Sequence, residues 1–410
     1  MKRFADGRLG SALPDSLRRT PTVAIAHDYL TTRGGAERVV LAMLRAFPGA
    51  RIYTTLYDPD ATYPEFKDAD IVVSKLNGND FFRRHYRAAL PVLPFAAESI
   101  EITEDIVIVS SSGWAHGFTA TGRKLVYCYT PARWLYQTET YLGGAAWRSP
   151  KGVALLAMRP LLRAWDRRHA KTAEAYVGIS TVVADRIRET YGVEAPVIFP
   201  PRTLPHLDQT PYAPLADWAT SGYHLVVSRL LPYKHVDQVV EAFRGMTQRL
   251  VIVGHGPLAD QIRASLPPNV RLVSNLTDSE LAWTYANART LVAPSNEDFG
   301  LTPLEAAAFG KPTVALRGGG YLDTVDEGRT GLFFEAPIAE PIRYAVARAT
   351  ERRWDADAIR SHAESFSEER FSAQLRAAVA GLTVPTGSVS QLPTRSSRTV
   401  AQPELIGLAG

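Results

Sequence analysis

Two doubly wound α/β halves in tandem are the fold class that the sequence predicts, on three observations. Short, wholly apolar runs such as Val23-Ala24-Ile25-Ala26 alternate with amphipathic helical segments, the pattern of parallel strands buried on both faces. The alternation stops at Pro200-Pro201, passes Pro205, Pro211 and Pro214, and then restarts, as at a domain boundary. At 410 residues the chain is also longer than one hydrophobic core usually serves.

Each element follows from its pattern. Met1 to Thr20 carries early charge without a continuous apolar core ahead of a small-residue cleavage site, so it reads as a flexible N-terminus and not as a signal peptide. The first strand, Val23 to Ala26, runs through a turn-rich stretch, His27 to Gly35, into Ala36 to Phe47. There Ala36, Val39, Val40, Met43, Leu44 and Phe47 recur at helical spacing. Further strands are expected at Ile71 to Val73, Ile106 to Val109, Leu125 to Cys128, Tyr176 to Ile179 and Val197 to Phe199. Beyond the proline break they are expected at Leu225 to Val227, Leu250 to Val253, Val270 to Val273, Thr290 to Ala293 and Thr313 to Leu316, with helices including Val236 to Phe243 and Thr302 to Phe309. The halves are therefore 21–200 and 201–382, the last helix being free to return to the first half. The Ser-, Thr-, Pro- and Gln-rich segment 383–410 reads as a disordered tail.

Composition narrows the function classes. Apolar content of 46% and charged content of 21% are those of an ordinary globular protein. No run approaches the apolar length of a membrane span. The one cysteine, Cys128, excludes an internal disulfide framework and a zinc site built on several thiolates, and fits a reducing cytosol. A net charge of +4 is too small for a nucleic-acid partner but leaves room for an anionic small ligand or membrane surface.

In a doubly wound sheet, ligand belongs at the carboxyl ends of the strands, and polar motifs gather there. The sharpest runs from Ser295 to Gly310, a strand, a glycine-bearing loop and a helix start. Thr302, Pro303 and Glu305 read as N-cap, N1 and N3 of a capping box, which gives Glu305 a purely structural alternative. The amides of Phe299, Gly300 and Leu301 are placed to meet a phosphate or sugar at that helix start, and Glu297 and Glu305 are expected to converge on one pocket. Arg229 and Lys234 stand just ahead of the next half's first helix, where two cations oppose the macrodipole unless an anion sits between them. A diphosphate fits that arrangement; a solvated surface pair is the alternative. Gly254-His255-Gly256-Pro257-Leu258-Ala259 matches the spacing of a dinucleotide fingerprint. It follows the second strand of its half, however, and Pro257 occupies the approach to a pyrophosphate, so a tight strand-to-helix turn is the favoured reading. Gly34 and Gly35 either let backbone approach a ligand or merely permit a turn. His116, in Ser110 to Gly117, is either a ligand contact or a structural polar residue.

At these residues the chain resembles the family 4 retaining glycosyltransferases, over roughly Val23 to Leu382. The resemblance implies the GT-B fold, two facing Rossmann-like domains with a cleft between them. It makes Glu297 and Glu305 the Glu-x7-Glu donor signature, the first near the transferred sugar and the second on the ribose. It assigns the diphosphate to Arg229 and Lys234, and donor contacts to Gly300, Leu301 and the Gly34-Gly35 loop. Gly254 to Pro257 matches the family's Gly-x-Gly-Pro turn, and Asn275-Leu276 the loop near the base. Gly318-Gly319-Gly320 matches its closing motif.

Segments Arg87 to Pro94, Ser110 to Gly117, Tyr127 to Trp134 and Val197 to Pro201 resemble the bacterial polysaccharide mannosyltransferase branch, which favours GDP-mannose as donor. His116 and Tyr129 depart from that branch, which usually has Lys and His there. The implied reaction is metal-independent hexosyl transfer with retention, no cofactor beyond the nucleotide sugar, and a glycan or lipid-linked acceptor. Glu297 would orient the sugar, and His116 would steady it from the opposite domain. Aromatic and basic residues in Asp80 to Arg87 and Ala154 to His169 suit either an anionic membrane surface, which would make the protein cytoplasmic and peripheral, or solvated helix faces packed on their apolar sides. A nicotinamide-dependent oxidoreductase and a non-catalytic nucleotide-sugar-binding protein are the rival classes.

Overall fold

The computed structural model describes residues 20–138, 150–202 and 208–383; the expectations for 1–19 and for 384–410 lie outside them. Two six-stranded, wholly parallel sheets organise the chain. In the first half, β1 (Val23–His27), β2 (Arg51–Thr54), β3 (Ile71–Val73), β4 (Ile106–Ser111), β5 (Arg123–Cys128) and β6 (Ala175–Gly178) lie in the order β3-β2-β1-β4-β5-β6. In the second, β7 (Tyr223–Val227), β8 (Leu250–Val253), β9 (Val270–Val273), β10 (Ala288–Ala293), β11 (Thr313–Leu316) and β12 (Gly331–Phe334) repeat it as β9-β8-β7-β10-β11-β12. Both orders reverse direction at the central pair, which makes that point of each sheet a crevice.

The central strands are apolar throughout because helices cover both faces. Ala24, Ile25 and Ala26 of β1 and Val107, Ile108 and Val109 of β4 are fully buried, paired at Ile25 opposite Ile108. Arg51–Thr54 and Gly331–Phe334 escaped the expectation of all-apolar runs, since each mixes in polar or small residues. Val197 to Phe199 is corrected: it makes one bridge, Val197 with Gly178. Pro196 and Pro200, which have no N–H to give a ladder, close it off on either side.

The helices that bear on the cleft and its walls are α1 (Gly35–Ala46), α2 (Arg133–Tyr136), α3 (Pro150–Ala170), α4 (Thr181–Tyr191), α5 (Val236–Phe243), α6 (Asp278–Ala286), α7 (Leu301–Ala308) and α8 (Glu368–Thr383). Ser180 caps α4 by accepting from the Val183 amide, and Gly192 ends it in the left-handed region. Helix α8 leaves the second half and packs on α1 and β5. Phe371, Leu375 and Val379 are buried in the first half's core, and the Phe371 ring stands edge-on to Tyr127 at 5.7 Å. Arg45 of α1 donates to both carboxylate oxygens of Glu368 through its Nε and Nη2. Thr383, expected in the tail, is the last residue of this helix.

Candidate functional site

The two crevices face each other across a cleft of about 410 Å³. From the second half it is lined by Ser228, Arg229, Tyr233 and Lys234 after β7, by Ser295, Glu297 to Thr302 after β10, and by Tyr321. From the first half come Gly35, Ala36, Val39, Tyr129, Arg133, Ile179 and Pro200. Of the residues singled out in the sequence, Gly35, Arg229, Lys234, Glu297, Phe299, Gly300 and Leu301 meet here.

Glu297 and Lys234 form a nearly buried ion pair, with 22% and 9% of their side chains exposed. Ser295 Oγ donates to the same carboxylate at 2.5 Å. Burial by itself would raise the Glu297 carboxyl, but the Lys234 ammonium, the Ser295 hydroxyl and the Arg133 guanidinium outweigh it and hold the group below the usual carboxylate range. The anion expected between Arg229 and Lys234 is thus already supplied to Lys234 by the protein. Arg229 is exposed and makes no ion pair among the described residues.

The capping box expected at Thr302 is corrected. Helix α7 begins at Leu301, its N-cap is Gly300 at φ 93°, and no side chain caps it. A Cβ on Gly300 would lie 2.5 Å from the Tyr321 ring, so both conformation and space demand glycine. The uncapped amides at this helix start therefore stay free for an incoming anion. Across the cleft, a Cβ on Gly35 would come within 3.1 Å of Leu301, which is how closely α1 approaches α7.

Two further expectations, for Glu305 and His116, are revised. Glu305 does not line the cleft beside Glu297. One helical turn and more into α7, it is half-buried, with Tyr285 Oη donating to it at 2.7 Å. His116 does not face the cleft: it is 3% exposed in the first half's core, between Trp165 and Tyr191. Its Nε2 lies 3.1 Å from the fully buried Asp166, at angles that do not make a hydrogen bond. These partners lie 49 to 75 residues further along the chain, so no local signature could have revealed them. Gly254 ends β8 with its Cα against Ser228, where a Cβ would meet the carbonyl oxygen at 2.0 Å. That close approach fits the favoured tight turn, and Gly254 lies outside the cleft lining expected of a donor contact.

Gly34, Asn275 and Leu276 lie outside the cleft lining. Gly34 precedes α1; Asn275, at φ 61°, precedes Thr277, and there the true capping box occurs, Thr277 with Glu280 at the start of α6.

Sequence reasoning missed three cleft groups, Tyr321, Arg133 and Asp298, as site residues, and had Tyr129 only as a departure from the mannosyltransferase branch at a position expected to face donor or acceptor. Tyr129 is buried, bonded to Ser110 Oγ at 3.0 Å and donating to the Ala36 carbonyl at 3.1 Å; burial pushes its phenol well up, so it stays neutral. Tyr321 is buried, with its hydroxyl 3.5 Å from Ser295 Oγ. Arg133 and Asp298 pair across the cleft. Arg133 could have been found, since it follows the carboxyl end of β5 just as Arg229 follows β7. Among the described residues no cluster of acidic, His or Cys side chains is arranged to hold a metal ion, and no helix is long and apolar enough to cross a membrane.

Residues 219–366 match the family model of glycosyl transferases group 1. A GDP-mannose-dependent alpha-mannosyltransferase of Mycolicibacterium smegmatis is 31% identical over 215 residues, which are 48% of this chain and 55% of that protein. A glycogen synthase of Thermus thermophilus is 32% identical over 152 residues, 35% of each chain. The chain thus spans about half, or less, of the length of these curated relatives. Solved structures align over nearly their whole length. Sucrose-phosphate synthase from Thermosynechococcus elongatus gives a TM-score of 0.65 at 16% identity, over 88% of this chain and 99% of that one. The Anabaena protein HepE in complex with UDP-glucose gives 0.63 at 15%, over 88% and 99%. The architecture is the GT-B fold.

Proposed function

We propose, from the premise that residues 219–366 are a glycosyl transferases group 1 domain within a GT-B fold, that the chain transfers a hexose from a nucleoside diphosphate sugar to a hydroxyl of a glycan or lipid-linked acceptor. The observation that carries this reading is the meeting of two switch-point crevices over one cleft. It offers a guanidinium, Arg229, with no ion pair among the described residues, and an uncapped helix start at Gly300–Leu301. Those groups suit a diphosphate, which needs several N–H donors and a cation that is not already spent.

The chemistry follows from these residues. The acceptor oxygen attacks the anomeric carbon, the bond from that carbon to the diphosphate oxygen breaks, and the acceptor's proton leaves with the phosphate. Arg229 and the α7 amides stabilise the charge developing on the leaving oxygen. Glu297 stays ionised and accepts hydrogen bonds from sugar hydroxyls, with Lys234 fixing its direction. Same-face attack assisted by the departing phosphate gives retention, and no metal is required, because leaving-group charge falls to these donors. Glu305, one turn along α7 beyond the cleft lining and held by Tyr285, is proposed for the donor's ribose, the nucleoside end of the donor extending past Leu301 to reach it. GDP-mannose is the favoured donor, since the relatives named GDP-mannose-dependent mannosyltransferases match at 31% and 26% identity. Synthesis of a polysaccharide or glycolipid is the setting proposed.

A peripheral contact with anionic membrane is also proposed. Phe81, Phe95 and Leu161 of the first half expose 57%, 63% and 67% of their surface, and Arg83 and Arg84 share the short helix of Phe81, an apolar and basic combination suited to a headgroup layer. Vesicles with anionic lipid should co-float the protein, and neutral vesicles should not.

A thermal-shift panel of GDP, UDP and ADP sugars tests the donor. GDP-mannose should raise the melting temperature most, and product NMR should then show a retained anomeric configuration in the presence of EDTA. Stabilisation by NAD instead would revive an oxidoreductase. Binding without turnover would leave a nucleotide-sugar-binding protein.

A further inference from the structure

Adjacent residues of the loop after β10 face opposite halves of the molecule. Glu297 turns to Lys234 and Ser295 of its own half. Asp298 turns the other way and is held by two guanidiniums of the first half: Arg133 on one carboxylate oxygen and Arg186 on the other. Its main-chain carbonyl also accepts from Ser180 Oγ, the cap of α4. One residue of the loop thus carries three bonds across the cleft, to α2 and to both the cap and the body of α4. The carboxylate is 14% exposed, against 28% for Arg133 and 21% for Arg186, and such semi-buried pairs are screened far less than surface ones.

The charges do not balance locally. Two guanidiniums meet one carboxylate, and Arg133 has a buried Nε with no partner. Arg133 also stands close enough to Glu297 to help hold it ionised. The same side chain therefore touches the loop at Asp298 and biases the neighbouring Glu297. Behind the loop, Gly320 N donates to the Glu297 carbonyl at 2.8 Å, and a Cβ on Gly320 would lie 2.2 Å from the Phe299 Cα. The segment is gripped from its own half through backbone and from the other half through Asp298.

We propose that Asp298 is a positioning residue: the grip of Arg133 and Arg186 on it locks the loop that carries Glu297, so that bringing the two halves together and placing Glu297 against the donor's sugar are one event. This rests on the reading of the cleft as a nucleotide-sugar site. A carboxamide at this position would keep the shape and the carbonyl bond to Ser180 but lose the negative charge, and its NH2 end could not accept from the second guanidinium. Lysine in place of Arg133 or Arg186 would keep charge and lose the planar fork.

The test uses the full chain with Asp298→Asn, and Arg186→Lys as the second variant should the first fail to fold. Hydrogen exchange without ligand should speed up roughly tenfold or more at residues 295–301 while β7 and β8 stay protected. GDP affinity by calorimetry should stay within about threefold, because no group proposed for the diphosphate has changed, while kcat falls roughly tenfold to a hundredfold with donor KM little altered. Unchanged loop exchange overturns the proposal, and so does a loosened loop with unchanged kcat. If the native chain transfers no sugar from any nucleotide sugar and Asp298→Asn still loosens the loop, the function is wrong and the lock stands.

Discussion

At the scale of single residues, the cleft separates two cations that look equivalent in sequence. Lys234 is paired with Glu297, whereas Arg229 is exposed and unspent among the described residues. Arg229→Ala should therefore weaken nucleoside diphosphate binding by about 1.5–3 kcal/mol, the range for a hydrogen bond to a charged group. Lys234→Met should act mainly through Glu297. Removing the ammonium leaves burial, which raises the Glu297 carboxyl, as the leading influence. The acid limb of the kcat–pH profile should then move to higher pH. An unmoved limb in Lys234→Met would detach Glu297 from Lys234. Glu305→Gln is expected to reduce nucleotide affinity in calorimetry, since the amide keeps a partner for Tyr285 but loses the charge that strengthens a ribose contact.

At the scale of elements, the last helix makes the return to the first half that the sequence left open to it. Helix α8 crosses from the second half to seat Phe371, Leu375 and Val379 in the first. Phe371 is 1% exposed. Phe371→Ala should cost about 3–5 kcal/mol in denaturant unfolding, the range for removing a buried aromatic ring. The loss should appear in the transition of the first half although the residue follows the second half in sequence. Helix α7 shows the converse. Its residues Thr302, Pro303 and Glu305 carry every local sign of a capping box, yet the helix starts earlier, at a left-handed Gly300 backed by Tyr321. A cap signature is a statement about neighbours in sequence, and a ring from another segment overruled it.

At the scale of the whole molecule, two sheets of the same winding order close on one cleft, and global stability carries a titration of its own. His224 on β7 is fully buried beside Phe243, with Nδ1 2.6 Å from Thr290 Oγ1, and burial pushes it down to about 4. An unfolded histidine titrates near 6.5. Above that value both states are neutral; as pH falls from about 6.5 to about 4, the unfolded chain takes up a proton that the folded chain excludes. Stability is therefore lost over that window, by about 3 kcal/mol at its lower end. His224→Gln should flatten this part of the stability–pH curve. The alternation of apolar runs and helices, the proline break and the polar strand ends were enough to place two doubly wound halves, and seven of the residues singled out line the cleft. Those are properties of local pattern, because burial on both faces of a sheet dictates composition strand by strand. The remainder depended on contacts between distant segments. His116 was drawn into the core by Trp165 and Asp166, Glu305 was turned to Tyr285, and Asp298 was paired with Arg133 and Arg186. The sequence by itself determined ten of the twelve strands of the two sheets, their parallel winding and the ends at which ligand belongs; only the tertiary structure decided which side chain reaches the cleft, since that depends on partners from distant parts of the chain and on the space they leave.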